Sequence, residues 1–260
     1  MEHLKGKTAI VTGASRGIGE ATARFLASQG VKVLLAARSA QVIETLAAEI
    51  CANGGEASAF ACDVSDHSAV LALVAQAKRR FARLDILVNN AGLIDPIARI
   101  ADSSPEAWGH CLDVNVKGVY HGLHYAIPVM LEQGGGTIIN LSSGAANSSL
   151  EGWSHYCASK AAVARLTGVA QKEYAADGLR VIGLSPGTVA TDMQSSIKAS
   201  GINPVSRLAP SSHISPEWVA QAIAYLCGPD GDEFAGGDFS LKTSEGRQRV
   251  GLPLADRLPA

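Results

Sequence analysis

The chain has 260 residues, 47% of them hydrophobic, and its 22 Lys and Arg against 24 Asp and Glu leave a formal net charge of −2. That length allows one or two domains with a sizeable core, and only 18% charged residues argues against a disordered chain. Without basic runs a nucleic-acid partner is not expected. No apolar run reaches the roughly 18–20 residues of a membrane span, and no apolar leader follows Met1, so the expected location is cytoplasmic with no membrane partner.

Strand-like and helix-like segments alternate almost from end to end. Thr8–Thr12 and Val31–Leu35 predict the first two strands, 57–61 a weaker third and Asp85–Asn89 a fourth. Thr137–Leu141, Val181–Leu184 and 239–241 continue the series to about seven. Continuous apolar runs of this kind mark strands covered by helices on both faces. Between them Ala21, Phe25 and Ala27, and later Val70, Leu73, Val74 and Ala77, carry helical spacing. Repeated strand–helix–strand units predict an α/β fold with a mostly parallel, doubly wound sheet. No linker divides the chain, so 1–260 reads as one domain. The stretch at about 190–216, with Gly201, Pro204 and Pro210, is long for a connection and is a candidate substrate loop.

Thr12-Gly13-Ala14-Ser15-Arg16-Gly17-Ile18-Gly19 lies between the first strand and the first helix. Glycines there let backbone amides approach a pyrophosphate at the helix N-terminus. A packing turn is the competing reading. After the second strand, where a carboxylate would bind the adenosine ribose hydroxyls, the chain has Ala36-Ala37-Arg38-Ser39. Arg38 can fork onto a 2′-phosphate, with Arg16 approaching from the other side, which favours NADP(H) over NAD(H). Alternatively Arg38 is a solvated helix-start residue.

Tyr156 and Lys160 are four apart in a helical pattern and so share a helix face. A free tyrosine titrates near 10; a neighbouring ammonium lowers that value, and reaching about 7 takes roughly 4 kcal/mol. Such a pair is common by chance. Here it accompanies the glycine turn, Asn89-Asn90-Ala91-Gly92 after the fourth strand and Ser142-Ser143 after the fifth. In this combination the chain resembles the short-chain dehydrogenase/reductase family from Lys7 to about Leu241.

The resemblance implies a single-domain Rossmann-type sheet and reversible hydride transfer between NADP(H) and a carbonyl or secondary alcohol. By the same resemblance Tyr156 is the general acid and base, and Ser143, with Ser142 ranked second, hydrogen-bonds the substrate oxygen. Lys160 binds the nicotinamide ribose and depresses the tyrosine pKa, and Asn115 supports a proton-relay water. Cofactor contacts are implied at Gly13, Ser15, Arg16, Gly17, Ile18, Gly19 and Arg38, and at Asp63 and Val64 for adenine. Asn89, Ala91 and Gly92 are implied beside the adenosine ribose, and Pro186, Gly187, Val189 and Thr191 beside the nicotinamide. Relatives also imply a homo-oligomer, tetramer or dimer, through the helices starting near Trp108 and Tyr156. Reduction of a 3-oxoacyl thioester on acyl carrier protein is the alternative activity, and a non-catalytic NADP-binding protein a more distant one.

The family often ends its last strand with Asp-Gly-Gly, whereas here Leu241 is followed by Lys242-Thr243-Ser244. The five cysteines are widely spaced and suggest reduced thiols rather than disulfides or a zinc site. His121 and His124 have no carboxylate at metal-site spacing, so no metal is expected. Trp153 and His155 are substrate-pocket candidates, with ordinary packing as the other reading.

Overall fold

The computed structural model describes residues 1–254. Seven strands form one parallel sheet: β1 (Thr8–Thr12), β2 (Lys32–Ala37), β3 (Glu56–Ala61), β4 (Ile86–Asn89), β5 (Gly136–Leu141), β6 (Leu179–Ser185) and β7 (Asp238–Ser240). Their spatial order is β3-β2-β1-β4-β5-β6-β7. The chain winds outward from β1 in one direction and then returns to wind in the other, so a crevice opens at the carboxyl ends of β1 and β4.

Alternation along the strands explains how the sheet is buried on both faces. Ala9 and Val11 of β1, with Val33, Leu35, Ile86 and Val88 of its neighbours, pack into one core. Ile10, Leu34, Leu87, Ile138 and Val181, one residue out of phase, pack into the other. Successive strand side chains point to opposite faces, so two apolar layers require uninterrupted apolar strands. The first layer is closed by α1 (Gly17–Ser28), α2 (Ala40–Ala52) and α8 (Pro216–Leu226). The second is closed by α3 (His67–Phe81), α5 (Gly118–Glu132) and α6 (Ser154–Tyr174). The spacing at Val70, Leu73, Val74 and Ala77 is fully buried, whereas Phe25 sits half-exposed at the edge of α1 and Leu26 takes the inward place.

Differences from the expected elements are small and local. β7 runs one residue earlier than expected and β6 is two residues longer at its start. β3, at the sheet edge, buries only Ala57 fully and leaves its other residues part-exposed or exposed, which is why its apolar signal is weak. The segment at 190–216 is not irregular throughout. It contains α7 (Met193–Ser200) and two 3-10 turns, Pro204–Arg207 and Pro210–Ser212. Its base is pinned where Val189 pairs with Ile214, and its far end where the Asn203 amide donates to the Glu151 carbonyl at 3.0 Å.

Between α4 (Pro105–Leu112) and α5 the helix widens into a π-turn over Asp113–Lys117, which carries Asn115 inward. Such bulges recur where a helix presents a side chain for a particular task. Among the described residues no helix is long and apolar enough to cross a membrane.

Candidate active site

A cleft of about 840 Å³ runs along the carboxyl ends of the strands, from Arg38 after β2 to Lys242 after β7. Beneath the cleft floor Thr12, the last residue of β1, accepts a hydrogen bond from the Asn90 backbone amide at 3.0 Å and donates to the Val88 carbonyl at 3.2 Å. The Asn90 side-chain amide donates to the Thr12 carbonyl at 2.8 Å, so the β4 turn braces the glycine turn. Gly13 and Gly17 adopt φ of +64° and +56°, a region that costs other residues strain. Added Cβ atoms would lie 2.9 Å from Ala91 Cα and 3.1 Å from Thr191 Cγ2 respectively.

Most expected cofactor contacts line this cleft: Gly13, Ser15, Arg16, Gly17, Ile18, Arg38, Asp63, Val64, Ala91, Gly92, Pro186, Gly187, Val189 and Thr191. Two do not. Asn89 is buried, and its amide donates to Asn140 Oδ1 at 2.9 Å, so it ties β4 to β5 inside the sheet. Asn90, one residue on, is the asparagine that reaches the cleft. Gly19 is likewise buried; a Cβ there would overlap the Gly13 carbonyl, so this glycine seats α1 under the turn without lining the cleft.

Arg38 is exposed at the adenosine end of the cleft and acts on Asp63 electrostatically. Burial works against the Asp63 carboxylate, but two hydrogen bonds from Ser65 and the charge of Arg38 hold its pKa below the ordinary value. Arg16 points instead across the cleft mouth, 3.4 Å from Asp192 at the start of α7; both side chains are largely exposed.

At the other end Ser143, Tyr156 and Lys160 come together at the end of β5. Ser143 is half-buried and caps a 3-10 turn (Gly144–Asn147) by accepting from the Ala145 amide at 3.2 Å, while Ser142 is buried. Tyr156 is buried with Trp153 packed edge-on against its ring, 5.6 Å between centroids. Lys160 donates to the Leu141 carbonyl at 2.7 Å, and its Nζ lies 5.5 Å from the tyrosine ring centroid.

The electrostatics of this trio differ from the expected lowering of the tyrosine by lysine. Burial pushes the Tyr156 phenol up to about 12, with the Ser143 hydroxyl opposing. Burial also lowers Lys160 to about 8, against the charges of Cys111 and Asp238. Loss of water on burial is thus the largest influence on both groups.

Asn115 stands outside the cleft lining, beneath it. Its Oδ1 accepts from the Leu93 amide at 2.8 Å, and its Nδ2 donates to the Leu93 carbonyl at 2.9 Å and to Ser159 Oγ at 3.1 Å. It thus joins the β4 turn to the Tyr156 helix. His155 is packed in the core, with Nε2 2.6 Å from the Ile94 carbonyl, so of the two pocket candidates only Trp153 lines the cleft. His121 bonds the Val64 carbonyl, and His124 stacks on Tyr120. Two further residues were missed by sequence reasoning. Asp238 accepts from Ser185 at 2.6 Å beside Lys160, and Lys242 overhangs the cleft from β7. The only sequence signal for either was the unusual ending of the last strand.

Residues 7–201 match the family described as short chain dehydrogenase. A cyclohexanol dehydrogenase from Acinetobacter sp. is 33% identical over 91% of this chain and 93% of its own. A 3-oxoacyl-[acyl-carrier-protein] reductase from Synechocystis sp. is 38% identical over 87% of this chain and 91% of its own. The crystal structure of NAD+-bound xylitol dehydrogenase superposes with a TM-score of 0.86 at 27% identity, covering 92% of this chain and 98% of that one.

Proposed function

The chain belongs to the short-chain dehydrogenase/reductase family, and we propose that it is an NADP(H)-dependent oxidoreductase interconverting a carbonyl compound and its secondary alcohol. The observation that carries this reading is the convergence of Ser143, Tyr156 and Lys160 at one end of a cleft whose other end holds the glycine turn and Arg38.

The residues present fit a dinucleotide. Gly13 and Gly17 take left-handed φ and have no room for a Cβ against Ala91 and Thr191, so the turn meets the cleft as bare backbone. Arg38 at the adenosine end offers a fork to a 2′-phosphate, and no carboxylate stands at 36–39 to take ribose hydroxyls. When bound, the nicotinamide supplies or accepts the hydride. The protein's part is position and proton movement. Ser143 donates a hydrogen bond to the substrate oxygen as charge develops there. The Tyr156 phenol, held protonated at neutral pH by burial, gives its proton to that oxygen in reduction and takes it back in oxidation. The Lys160 ammonium, 5.5 Å from the ring, stabilises the phenolate left behind. Asn115 is a positioning residue, since it acts through Leu93 and Ser159.

The apolar wall of Ile94, Ala145, Trp153 and Ile197 around Tyr156 supports a substrate with an apolar body, in keeping with the relative that acts on cyclohexanol. Thioester reduction is the second reading, favoured by the similarity to the Synechocystis reductase. A single sheet carrying both ends of the cleft supports reading 1–260 as one domain, of which the last six residues lie outside the described part. Exposed Tyr120 on α5 and Val169 on α6 support assembly of copies through that face, as a tetramer or dimer.

The test is a panel of aldehydes, ketones, diketones and ketoesters with NADPH and with NADH, read by loss of reduced nicotinamide. Turnover with NADPH is expected. Tight NADPH binding with no turnover across the panel overturns the enzymatic reading.

A further inference from the structure

Lys242 follows β7, yet its side chain crosses the end of β6 and reaches the end of β5. Its Cγ lies 2.9 Å from where a Cβ on Gly187 would stand, and its Nζ lies 3.8 Å from the corresponding point on Gly144. Gly187, at φ +82°, therefore gives passage to the lysine stem as well as turning the chain. The ammonium thus sits beside the residue that follows Ser143, on the cleft wall, and the side chain is exposed. No carboxylate pairs with it among the described residues. Of the acids along the cleft, Asp63 is bonded to Ser65 and Asp192 is paired with Arg16, while Asp95 follows β4, which lies on the other side of β5 from β7.

The segment Ser143-Gly144-Ala145 consequently separates two unlike environments. On one side Ala145 is buried with Ile94, Trp153, Tyr156 and Ile197, and Leu150 and Met193 extend the same apolar wall. On the other, Gly144 is exposed and faces an unpaired cation. A carbonyl held at Ser143 has two substituents, and these environments accept different ones.

We propose that Lys242 makes this an anion-accepting site, and that the substrate is an oxo acid, or the matching hydroxy acid, with its carboxylate within one or two carbons of the reacting carbon and an apolar body against Trp153. This rests on the proposed oxidoreductase function and adds the substrate class to it. The cation attracts and orients the carboxylate, which fixes the carbonyl face offered for reduction. The chemistry stays balanced: the carbonyl carbon gains a hydride from the reduced nicotinamide, and its oxygen gains the Tyr156 proton. An exposed lysine contributes little to folding, so its replacement leaves the protein intact.

The experiment compares 4-phenyl-2-oxobutanoate with its ethyl ester, under NADPH, in the native protein and in Lys242→Gln and Lys242→Arg. Comparing the change in each substrate removes their difference in intrinsic reactivity. Lys242→Gln is expected to lower kcat/KM for the acid at least tenfold and for the ester by no more than threefold, with Lys242→Arg restoring the acid. Added salt should weaken turnover of the acid selectively. Equal losses on both substrates, or no loss on either, overturn the proposal. A raised KM for NADPH with both substrates also overturns it, because the anion met by Lys242 then belongs to the cofactor. If the native protein turns over neither compound, calorimetric binding of 4-phenylbutanoate to the protein loaded with NADP+ decides independently of catalysis. Binding lost in Lys242→Gln supports the site, and equal or absent binding refutes it.

Discussion

The ammonium of Lys160 lies 5.5 Å from the centroid of the Tyr156 ring and gives a 2.7 Å hydrogen bond to the Leu141 carbonyl at the end of β5. The lysine is thus anchored to the sheet, and the tyrosine is set beside it by the pitch of α6, four residues back. With both side chains buried, what each does to a proton is decided by its immediate neighbours.

If Tyr156 delivers the proton, Tyr156→Phe should lower kcat by about 10²–10⁴-fold, the range general acid catalysis supplies. The ring fills the same space against Trp153, so the Kd for NADPH, measured by fluorescence titration, should stay within threefold. Retained turnover would remove the tyrosine from the mechanism.

Lys160 gives a pH signature of folding. Burial lowers its pKa to about 8, whereas the unfolded chain binds that proton up to about 10.5. Between these values the unfolded state holds more protons, so this group makes stability rise with pH across pH 8–10.5. Buried thiols and Tyr156, raised by burial, act the other way and are common to both proteins compared. The stability difference between native protein and Lys160→Met, from urea unfolding, should therefore change by on the order of 3 kcal/mol over that window. A constant difference would mean the ammonium is not desolvated in the folded state.

The glycine turn, the Tyr-Lys pair and the strand series were legible because each is a local pattern: a turn chemistry, a helical pitch, an apolar run. What escaped reading depends on contacts between distant segments. Asn89 and Asn90 are chemically identical neighbours, and only the register of β4 against β5 decides which one faces Asn140 and which the cleft. The direction of the tyrosine shift was misjudged because spacing reveals a nearby charge but not the loss of water around it. Lys242 reaches Gly144 across the end of β6, so no window of sequence contains the contact.

Arg38 bears on the choice between cofactors. A charge-assisted hydrogen bond to a 2′-phosphate contributes about 1.5–3 kcal/mol, so Arg38→Ala should reduce the NADPH-over-NADH ratio of kcat/KM by roughly 10- to 100-fold. Activity with NADH itself should hardly move, because the arginine is exposed and carries no part of the core. A native preference for NADH, or an unchanged ratio in the variant, would show that Arg38 is solvated in the complex as well.

Asn89 separates a structural role from a binding one. Its amide donates to Asn140 Oδ1 at 2.9 Å, while Asn140 in turn donates to Thr167 Oγ1 on α6, also at 2.9 Å. Strand β4, strand β5 and the helix bearing Tyr156 are thus joined by one buried polar chain. Asn89→Ala leaves the Asn140 oxygen without that donor in a site closed to water, at a cost of about 1–3 kcal/mol. Thermal and urea unfolding should show that loss, while the Kd for NADPH remains within threefold because the side chain does not line the cleft. A fall in NADPH affinity without a fall in stability would return Asn89 to the cofactor site, and would require the β4 turn to rearrange when the cleft is filled.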